Sequence, residues 1–282
     1  MSSSPSLRLL LSDCVLPANE ARILLAHVLE KHYQLPRSAL LSRDDMVLNE
    51  AASTDWEALV SRRTNGDPIA YLLGKKGFHN IELLVAPGVL IPRPETELLV
   101  DIALGEIAKL NQPTLILDLG TGSGAIALAI ASAAPLATVI ATDQSPEALG
   151  IARQNAQLLD LHNQVEFAQG SWYEALDNRS LFDVIVSNPP YIANLDPHLT
   201  QGDLRFEPLS ALTDYASGLS CLEAIIAGVD QCLKPGGLIA VEHGFDQSEA
   251  VVQLMQVAHL IDIQVHLDLA GHSRVVSGRK SL

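Results

Sequence analysis

Hydrophobic residues recur along the first 75 positions with the spacing of amphipathic helices. Between Glu20 and Lys31 the apolar side chains fall at intervals of three and four residues, which places them on one helix face, with Asn19 as the N-cap. The stretch from Asn49 to Arg63 repeats this pattern and ends near Asn65-Gly66, a typical helix C-cap. We therefore predict a small helical domain over residues 1–75.

The pattern changes to short apolar runs after residue 75. The runs Gly77–Val85 and Val89–Ile91 flank Ala86-Pro87-Gly88, which is typical of a turn. We predict a β-hairpin over residues 76–92 that links two domains. Residues 94–110 then have the spacing of a helix.

From residue 114 onward, apolar runs of strand length alternate with helical stretches. The predicted strands are 115–117, 138–141, 165–167, 182–186 and 238–242, followed by 261–267 and 274–277, which are close enough to pair antiparallel. This alternation favours an α/β fold with a doubly wound, mostly parallel sheet and helices on both faces. We assign residues 93–282 to this second domain.

Composition and charge narrow the functional classes. Hydrophobic residues make up 48% of the 282 positions, enough for a core, and 33 acidic against 18 basic residues give a net charge of −15. Such a chain is a poor candidate for binding nucleic acid, which needs a cationic face. The three cysteines and nine histidines show no metal-ligand spacing, so no metal is expected. The sequence shows no signal peptide or membrane span, and we expect a cytoplasmic protein.

A glycine-rich segment follows the first strand of the predicted sheet. It runs Asp118-Leu119-Gly120-Thr121-Gly122-Ser123-Gly124, and Asp143 ends the next strand. Glycines permit a tight turn against which a ligand can lie, and a carboxylate at the position of Asp143 can accept both hydroxyls of a ribose. The pattern predicts a nucleotide-type cofactor, although a purely structural turn has the same letters. It fits NAD or S-adenosylmethionine, and G-x-G-x-G after an acidic residue favours the latter.

The fourth strand ends in Asn188-Pro189-Pro190-Tyr191. Two prolines fix the backbone and remove two N–H donors, so the carbonyls of Asn188 and Pro189 and the Asn188 side chain form a rigid rim of hydrogen-bond acceptors. An amide or aryl-amine nitrogen is a poor nucleophile because its lone pair is delocalised. If its N–H groups point at the Asn188 side-chain oxygen and the Pro189 carbonyl, its lone pair faces a sulfonium methyl group. Asn188, Pro189 and Tyr191 are therefore the candidate catalytic residues, with Tyr191 as a wall of the site.

Together with several other segments, these motifs resemble the peptide-chain-release-factor glutamine N5-methyltransferases, the HemK/PrmC family. The other segments are 67–74, 90–97, 202–208, 242–244, 268–271 and 274–276. The resemblance covers residue 17 to the C-terminus. It implies a five-helix-like N-terminal domain, a hairpin linker and a seven-stranded Rossmann-like sheet whose last strand is antiparallel. It also implies methyl transfer from S-adenosylmethionine, leaving S-adenosylhomocysteine, to the glutamine of the Gly-Gly-Gln loop of release factors.

The resemblance also assigns roles to individual residues. Residues Gly120, Thr121, Gly122, Ser123 and Gly124 would hold the methionine end of the cofactor, Asp143 the ribose and Trp172 the adenine. Asn188 would contact both cofactor and substrate, and Asn188, Pro189, Pro190 and Tyr191 would hold the glutamine amide. Arg93, Glu95 and Glu207 lie in family segments but receive no assigned role. We expect a monomer whose N-terminal domain binds the protein substrate.

Two other enzyme classes use similar chemistry. Adenine-N6 DNA methyltransferases carry a similar loop, but the net charge of −15 and the 4% aromatic content count against a DNA substrate. A sister family methylates a glutamine of a ribosomal protein, and the segment Arg93-Pro94-Glu95-Thr96-Glu97 favours the release-factor branch. A nucleotide-binding scaffold without activity is the non-enzymatic alternative. We expect the turn at 271–274 to lie away from the site.

Overall fold

The computed structural model describes residues 5–176 and 181–282. The chain divides into two compact units, Met1–Gly74 and Lys75–Leu282. In its described part the first unit contains α1 (Leu7–Ser12), α2 (Ala18–Tyr33), α3 (Ala39–Ser42), α4 (Glu50–Thr64) and α5 (Ile69–Leu73).

The first unit has its own hydrophobic core. Apolar residues of α2, including Leu25 and Leu29, pack with Trp56 of α4. The side chain of Asn49 caps α4 by accepting a hydrogen bond of 2.9 Å from the backbone N–H of Ala52. The expected cap at Asn19 is wrong, because Asn19 is the second residue of α2, which begins at Ala18 directly after Pro17.

A β-hairpin opens the second unit. It consists of β1 (Lys75–Phe78) and β2 (Ile81–Leu84), which pair antiparallel across a two-residue turn. The expected second strand at 89–91 is wrong: the backbone N–H of Ile91 donates instead to the carboxylate of Glu207, at 2.9 Å. Phe78 and Leu83 are buried in the same core as the sheet, so the hairpin is part of the second unit.

The rest of the second unit is a seven-stranded sheet with helices on both faces. The strands are β3 (Thr114–Leu119), β4 (Ala137–Asp143), β5 (Val165–Gln169), β6 (Phe182–Ser187), β7 (Leu233–Glu242), β8 (Ile261–Leu267) and β9 (Ser273–Arg279). The helices are α6 (Glu97–Leu110), α7 (Ala125–Ala133), α8 (Pro146–Leu158), α9 (Ser220–Cys232) and α10 (Ser248–Val257). The strand order is β5-β4-β3-β6-β7-β9-β8, and β9 is antiparallel to its neighbours, which confirms the predicted fold class.

The central strands are apolar without interruption because both faces of the sheet are covered. Ile116 and Leu117 are adjacent in β3 and fully buried, yet they belong to different cores. The first core contains α6, α7 and α8, and the second contains α9 and α10.

Among the described residues, no helix has the length and apolar character that a membrane crossing requires.

The topology decides where a ligand can bind. β4 and β6 lie on opposite sides of β3, so the chain turns in different directions after β3 and after β6. In an open α/β sheet this arrangement leaves a crevice at the carboxyl ends of these strands. The glycine-rich segment, Asp143 and the Asn-Pro-Pro-Tyr segment all stand at that edge.

Candidate active site

The glycine-rich segment forms a tight turn that hydrogen-bonds to the end of β4. The backbone N–H groups of Gly120 and Thr121 both donate to the carbonyl of Thr142, at 2.9 Å. Gly120 has a φ of 72°, in the left-handed region that favours glycine. A Cβ atom at this position would lie 3.3 Å from the indole of Trp172, so the close approach also requires glycine.

Asp143 connects the glycine-rich turn to the start of α8. Its Oδ2 accepts from the backbone N–H of Gly122 at 2.8 Å, and its Oδ1 accepts from that of Ser145 at 2.9 Å. Burial raises the pKa of this carboxyl group, whereas the backbone N–H groups act in the opposite direction. A carboxylate has about four lone-pair sites, so both oxygens can still accept a hydroxyl group.

Asp118 lies beneath the same turn and is fully buried. Its Oδ2 accepts from the hydroxyl of Thr121 at 2.6 Å and from the backbone N–H of Ala127 at 3.2 Å. Burial raises the pKa of Asp118 to about 7. The carboxyl group therefore joins the end of β3 to the first turn of α7.

Trp172 covers the turn from the side of β5. Its φ of 48° is unusual for a bulky residue and indicates backbone strain of the kind that clusters at functional sites. Its carbonyl accepts from the hydroxyl of Thr142 at 3.3 Å, and its indole lies against Gly120. The strained backbone thus holds an aromatic ring against the glycine-rich turn.

Side chains hold the Asn-Pro-Pro-Tyr loop at several points. The hydroxyl of Ser187, directly before the loop, donates to the carbonyl of Leu119 at 2.7 Å. The side-chain nitrogen Nδ2 of Asn188 donates to the hydroxyl oxygen of Thr96 at 3.0 Å. Asn188 Oδ1 is therefore the end of the carboxamide that remains for a ligand.

The far end of this loop is fixed through Tyr191. The phenol donates to Oε1 of Glu242 at 3.0 Å, and the Tyr191 carbonyl accepts from Nε2 of Gln247 at 2.9 Å. Among residues 5–176 and 181–282, the backbone N–H groups outside the helices and strands do not donate to the carbonyl oxygen of Asn188 or of Pro189. The loop therefore offers acceptor oxygens at the rim of the sheet.

A cavity of about 340 Å³ lies at this edge, within the usual range for a small-molecule site. Of the predicted residues, its lining contains Gly120, Thr121, Gly122, Ser123, Asp143, Trp172, Asn188 and Pro190. Three others lie outside the lining: Gly124 packs against Leu128, Pro189 is buried, and the hydroxyl of Tyr191 points to Glu242. The structure thus brings together most of the predicted cofactor residues.

Arg93 and Glu207 form an ion pair at the lip of the cavity. The guanidinium contacts Oε1 of Glu207, whose side chain is fully buried, and Oε2 accepts from the backbone of Ile91. Burial raises the pKa of this carboxyl group, and the charge of Arg93 lowers it. The pair joins two segments that line the cavity, which gives both residues a structural role. Glu95 is exposed.

The turn at 271–274 is absent from the cavity lining, as expected, but Arg274 lies at the same edge of the sheet. Its carbonyl accepts from the backbone N–H of His243 at 2.9 Å, and its guanidinium binds Asp268 at 3.1 Å. From this position its charge acts on Glu242, beneath the Asn-Pro-Pro-Tyr loop, and lowers the pKa of that carboxyl group. The antiparallel last strand brings this residue back to the carboxyl edge of the sheet.

Comparison with known proteins identifies the family. Residues 7–74 match the family described as "PrmC N-terminal domain", and residues 110–268 match "Methyltransferase domain". A release factor glutamine methyltransferase of Burkholderia pseudomallei (strain K96243) is 48% identical over 274 residues, covering 96% of this chain and 94% of that protein. The chain belongs to the release factor glutamine methyltransferase family.

Other relatives agree. The Escherichia coli (strain K12) release factor glutamine methyltransferase is 43% identical over 263 residues, 93% of this chain and 90% of that protein. A methyltransferase structure from Pyrococcus furiosus superposes with a TM-score of 0.54 at 16% identity, over 79% of this chain and 98% of that one, and supports the fold alone. The predicted family and the enzyme class, an S-adenosylmethionine-dependent protein-(glutamine-N5) methyltransferase, are confirmed.

Some residues of this glutamine methyltransferase site were not predicted individually. Thr96, Glu242 and Gln247 hold the Asn-Pro-Pro-Tyr loop. Thr96 and Glu242 lie in the family segments 90–97 and 242–244 but received no role from the sequence, and Gln247 lies outside those segments. One signal was available for Glu242: it ends a strand at the same edge of the sheet as Asp143. Acidic residues that end neighbouring parallel strands mark the binding edge of such a fold.

Proposed function

We propose that this enzyme methylates the side-chain N5 atom of the glutamine in the Gly-Gly-Gln loop of peptide-chain release factors, with S-adenosylhomocysteine as the other product. The observation that carries the proposal is the orientation of Asn188, whose Nδ2 is bound to Thr96 and whose Oδ1 is left for the substrate. The names of the relatives, release factor glutamine methyltransferases, supply the substrate class.

The residues around the cavity fit S-adenosylmethionine. The glycine-rich turn presents bare backbone at 120–124, Asp143 provides carboxylate oxygens for ribose hydroxyls, and Trp172 provides an aromatic surface for adenine. When bound, the cofactor supplies a methyl group on a positively charged sulfur, which becomes a neutral thioether as the substrate nitrogen gains the methyl and releases one proton.

The chain's own contribution is to orient a weak nucleophile. We propose that the two N–H bonds of the glutamine amide donate to Asn188 Oδ1 and to the Pro189 carbonyl, so that the lone pair faces the methyl group. Positioning of this kind can lower the activation barrier by several kcal/mol. It requires fixed acceptors, and the contacts at Ser187, Thr96 and Gln247 hold the loop that carries them.

The N-terminal unit is proposed to bind the release factor. It has its own core and matches a family of its own, and none of the predicted catalytic or cofactor-binding residues lies within it. Removing residues 1–74 should leave S-adenosylmethionine binding intact and abolish methylation of whole release factor. Full methylation by the truncated enzyme, with cofactor binding measured by calorimetry, would contradict this role.

We propose a monomer that works in the cytoplasm, where release factors act.

Mass spectrometry of the substrate tests the proposed function directly. Release factor is incubated with enzyme and S-adenosylmethionine, beside a control release factor in which the loop glutamine is replaced by asparagine. We expect one methyl group on the glutamine side chain and none on the control. Labelling of purified ribosomal proteins or DNA instead, with release factor unchanged, would refute the proposal and favour one of the two other enzyme classes.

A further inference from the structure

Glu242 is a buried carboxylate that the proposed chemistry does not use directly. It ends β7, is 1% exposed and lies behind the Asn-Pro-Pro-Tyr loop. Its Oε1 accepts from the phenol of Tyr191 at 3.0 Å, whereas its buried Oε2 has no hydrogen-bond partner in the described part of the chain. The Thr96 hydroxyl lies close enough to lower the pKa of this carboxyl group. Thr96 in turn accepts from Asn188 Nδ2 at 3.0 Å. Glu242 therefore binds Tyr191 at one end of the loop and lies beside Thr96, which binds Asn188 at the other end.

The direction of these hydrogen bonds determines which end of the Asn188 carboxamide faces the cavity. A threonine hydroxyl has a single hydrogen to donate. When that hydrogen is committed to a carboxylate, which only accepts, Thr96 meets Asn188 as an acceptor. The amino end of Asn188 must then face Thr96, and its oxygen must face the cavity.

We propose that the unpartnered Oε2 of Glu242 takes the hydrogen of the Thr96 hydroxyl, and that Glu242 is thereby a positioning residue that fixes the carboxamide of Asn188 with its oxygen toward the substrate. The inference rests on the proposed role of Asn188 as the acceptor for the glutamine N–H. With the carboxamide reversed, an amino group would face the substrate amide, and two donors would meet. The backbone of the loop would be unchanged, yet the site would no longer orient the nucleophile.

Other contacts hold the backbone of the loop, so the effect of Glu242 on Asn188 can be tested separately. Gln247 Nε2 donates to the carbonyl of Tyr191 at 2.9 Å and to that of Gly218 at 3.3 Å. Its Oε1 accepts from the backbone of Gly244 at 2.8 Å. Ser187 holds the start of the loop through the carbonyl of Leu119. A change confined to the Glu242 carboxylate therefore leaves these anchors in place.

The charges around Glu242 predict a pH dependence. Tyr191 from the loop, Arg274 from β9 and Glu95 from the segment before α6 are the ionisable groups that act on it. Burial raises the pKa of Glu242 to about 7, whereas the hydroxyl groups of Thr96 and Tyr191 and the charge of Arg274 act to lower it. Protonated Glu242 can donate to Thr96 and reverse the hydrogen-bond direction. We therefore expect kcat to rise as the pH increases through about 7.

The decisive variant is Glu242→Gln, which keeps the shape of the side chain but can donate to Thr96. We expect kcat for release factor to fall roughly 10- to 100-fold, a loss typical of a misplaced reacting group. The dissociation constant of S-adenosylmethionine should not change, and the rise of kcat near pH 7 should disappear. Glu106→Gln is the matched control: it also removes a buried carboxylate, but its partner is Arg279 at the other end of β9, so kcat should be retained.

Thr96 provides the second set of variants. Thr96→Val removes the hydroxyl and should lower kcat as Glu242→Gln does, whereas Thr96→Ser keeps the hydroxyl and should recover most of the loss. Because both residues act on one group, the double variant Thr96→Val/Glu242→Gln should be no slower than the slower single variant.

The outcomes separate this inference from the proposed function. If wild-type enzyme leaves release factor unmethylated, the proposed function is wrong. If wild-type enzyme methylates it and Glu242→Gln keeps the same kcat and the same pH profile, the positioning role of Glu242 is wrong. If the two single losses in kcat multiplied in the double variant, the two residues would act independently, and this result would also overturn the positioning role.

Discussion

The two loops that form the site are held in different ways. The hydrogen bonds of the glycine-rich turn join groups at most 32 positions apart, and its buried support is close in sequence: Thr121 and Ala127 both donate to Asp118. The Asn-Pro-Pro-Tyr loop is held by side chains far away in sequence, with Thr96 separated by 92 positions from Asn188 and Glu242 by 51 from Tyr191. Each loop rests on one buried carboxylate, but the first support is local and the second is assembled by the fold.

The difference suits what each loop does in the proposed mechanism. A cofactor of constant shape can lie on backbone groups, whose geometry follows from a short run of glycines. A planar amide needs acceptors with a defined direction, and the direction of a carboxamide depends on the groups behind it. Substitutions in the glycine-rich turn should therefore lower mainly cofactor affinity, whereas substitutions in the Asn-Pro-Pro-Tyr loop should lower mainly kcat.

The largest expected effect comes from Asn188→Ala. Loss of the side-chain acceptor should reduce kcat by roughly 10²- to 10³-fold, as for the removal of one hydrogen-bonding group that acts in the transition state. The dissociation constant of S-adenosylmethionine, measured by calorimetry, should change only a few-fold. If cofactor affinity fell as steeply as kcat, the assignment of cofactor binding to the glycine-rich turn and of substrate orientation to the Asn-Pro-Pro-Tyr loop would be wrong.

The same contrast explains what the sequence predicts. The glycine-rich turn and Asp143 are recognisable because the residues that build the turn are nearly contiguous. The prolines show that the other loop is rigid, but they do not show which way Asn188 faces, because that depends on its contact with the distant Thr96. The false strand at 89–91 has a similar cause: a distant residue, Glu207, binds the backbone of Ile91.

The second effect concerns stability and tests the two buried carboxylates. Burial raises the pKa values of Asp118 and Glu242 from near 4 to about 7 in the folded protein. The folded state therefore holds these protons more tightly than the unfolded state. Their contribution is fully present below about pH 4 and is lost as the pH rises through 7, on the order of 3–4 kcal/mol for each group.

Urea denaturation at several pH values measures this dependence. The free energy of unfolding of Glu242→Gln should decline less between pH 4 and 7 than that of the wild type, and Asp118→Asn should behave likewise. Equal slopes in all three proteins would show that neither carboxyl group has a raised pKa in the folded state.

A third prediction examines the glycine-rich turn. Gly120→Ala introduces a side chain at a φ of 72° and 3.3 Å from Trp172. The left-handed backbone alone costs about 1–2 kcal/mol, so S-adenosylmethionine affinity should fall by roughly 10-fold if the turn adjusts to relieve it. Calorimetry with the variant measures this loss, and wild-type affinity would contradict the role of the turn.

The smallest expected effect is that of the matched control, Gly105→Ala. Gly105 lies in α6, and a Cβ atom there meets nothing within 4 Å. Alanine should stabilise the protein by about 0.5–1 kcal/mol and leave cofactor affinity unchanged. A loss of affinity in this variant would show that glycine replacement is harmful in general, and the result at Gly120 would lose its meaning.

The most direct test is a crystal structure of the enzyme with S-adenosylhomocysteine and a peptide containing the Gly-Gly-Gln sequence. We predict that the glutamine side-chain nitrogen lies about 3 Å from both Asn188 Oδ1 and the Pro189 carbonyl oxygen, with Asn188 Nδ2 still on Thr96. A glutamine bound elsewhere, or with its side-chain oxygen toward these two acceptors, would contradict the account.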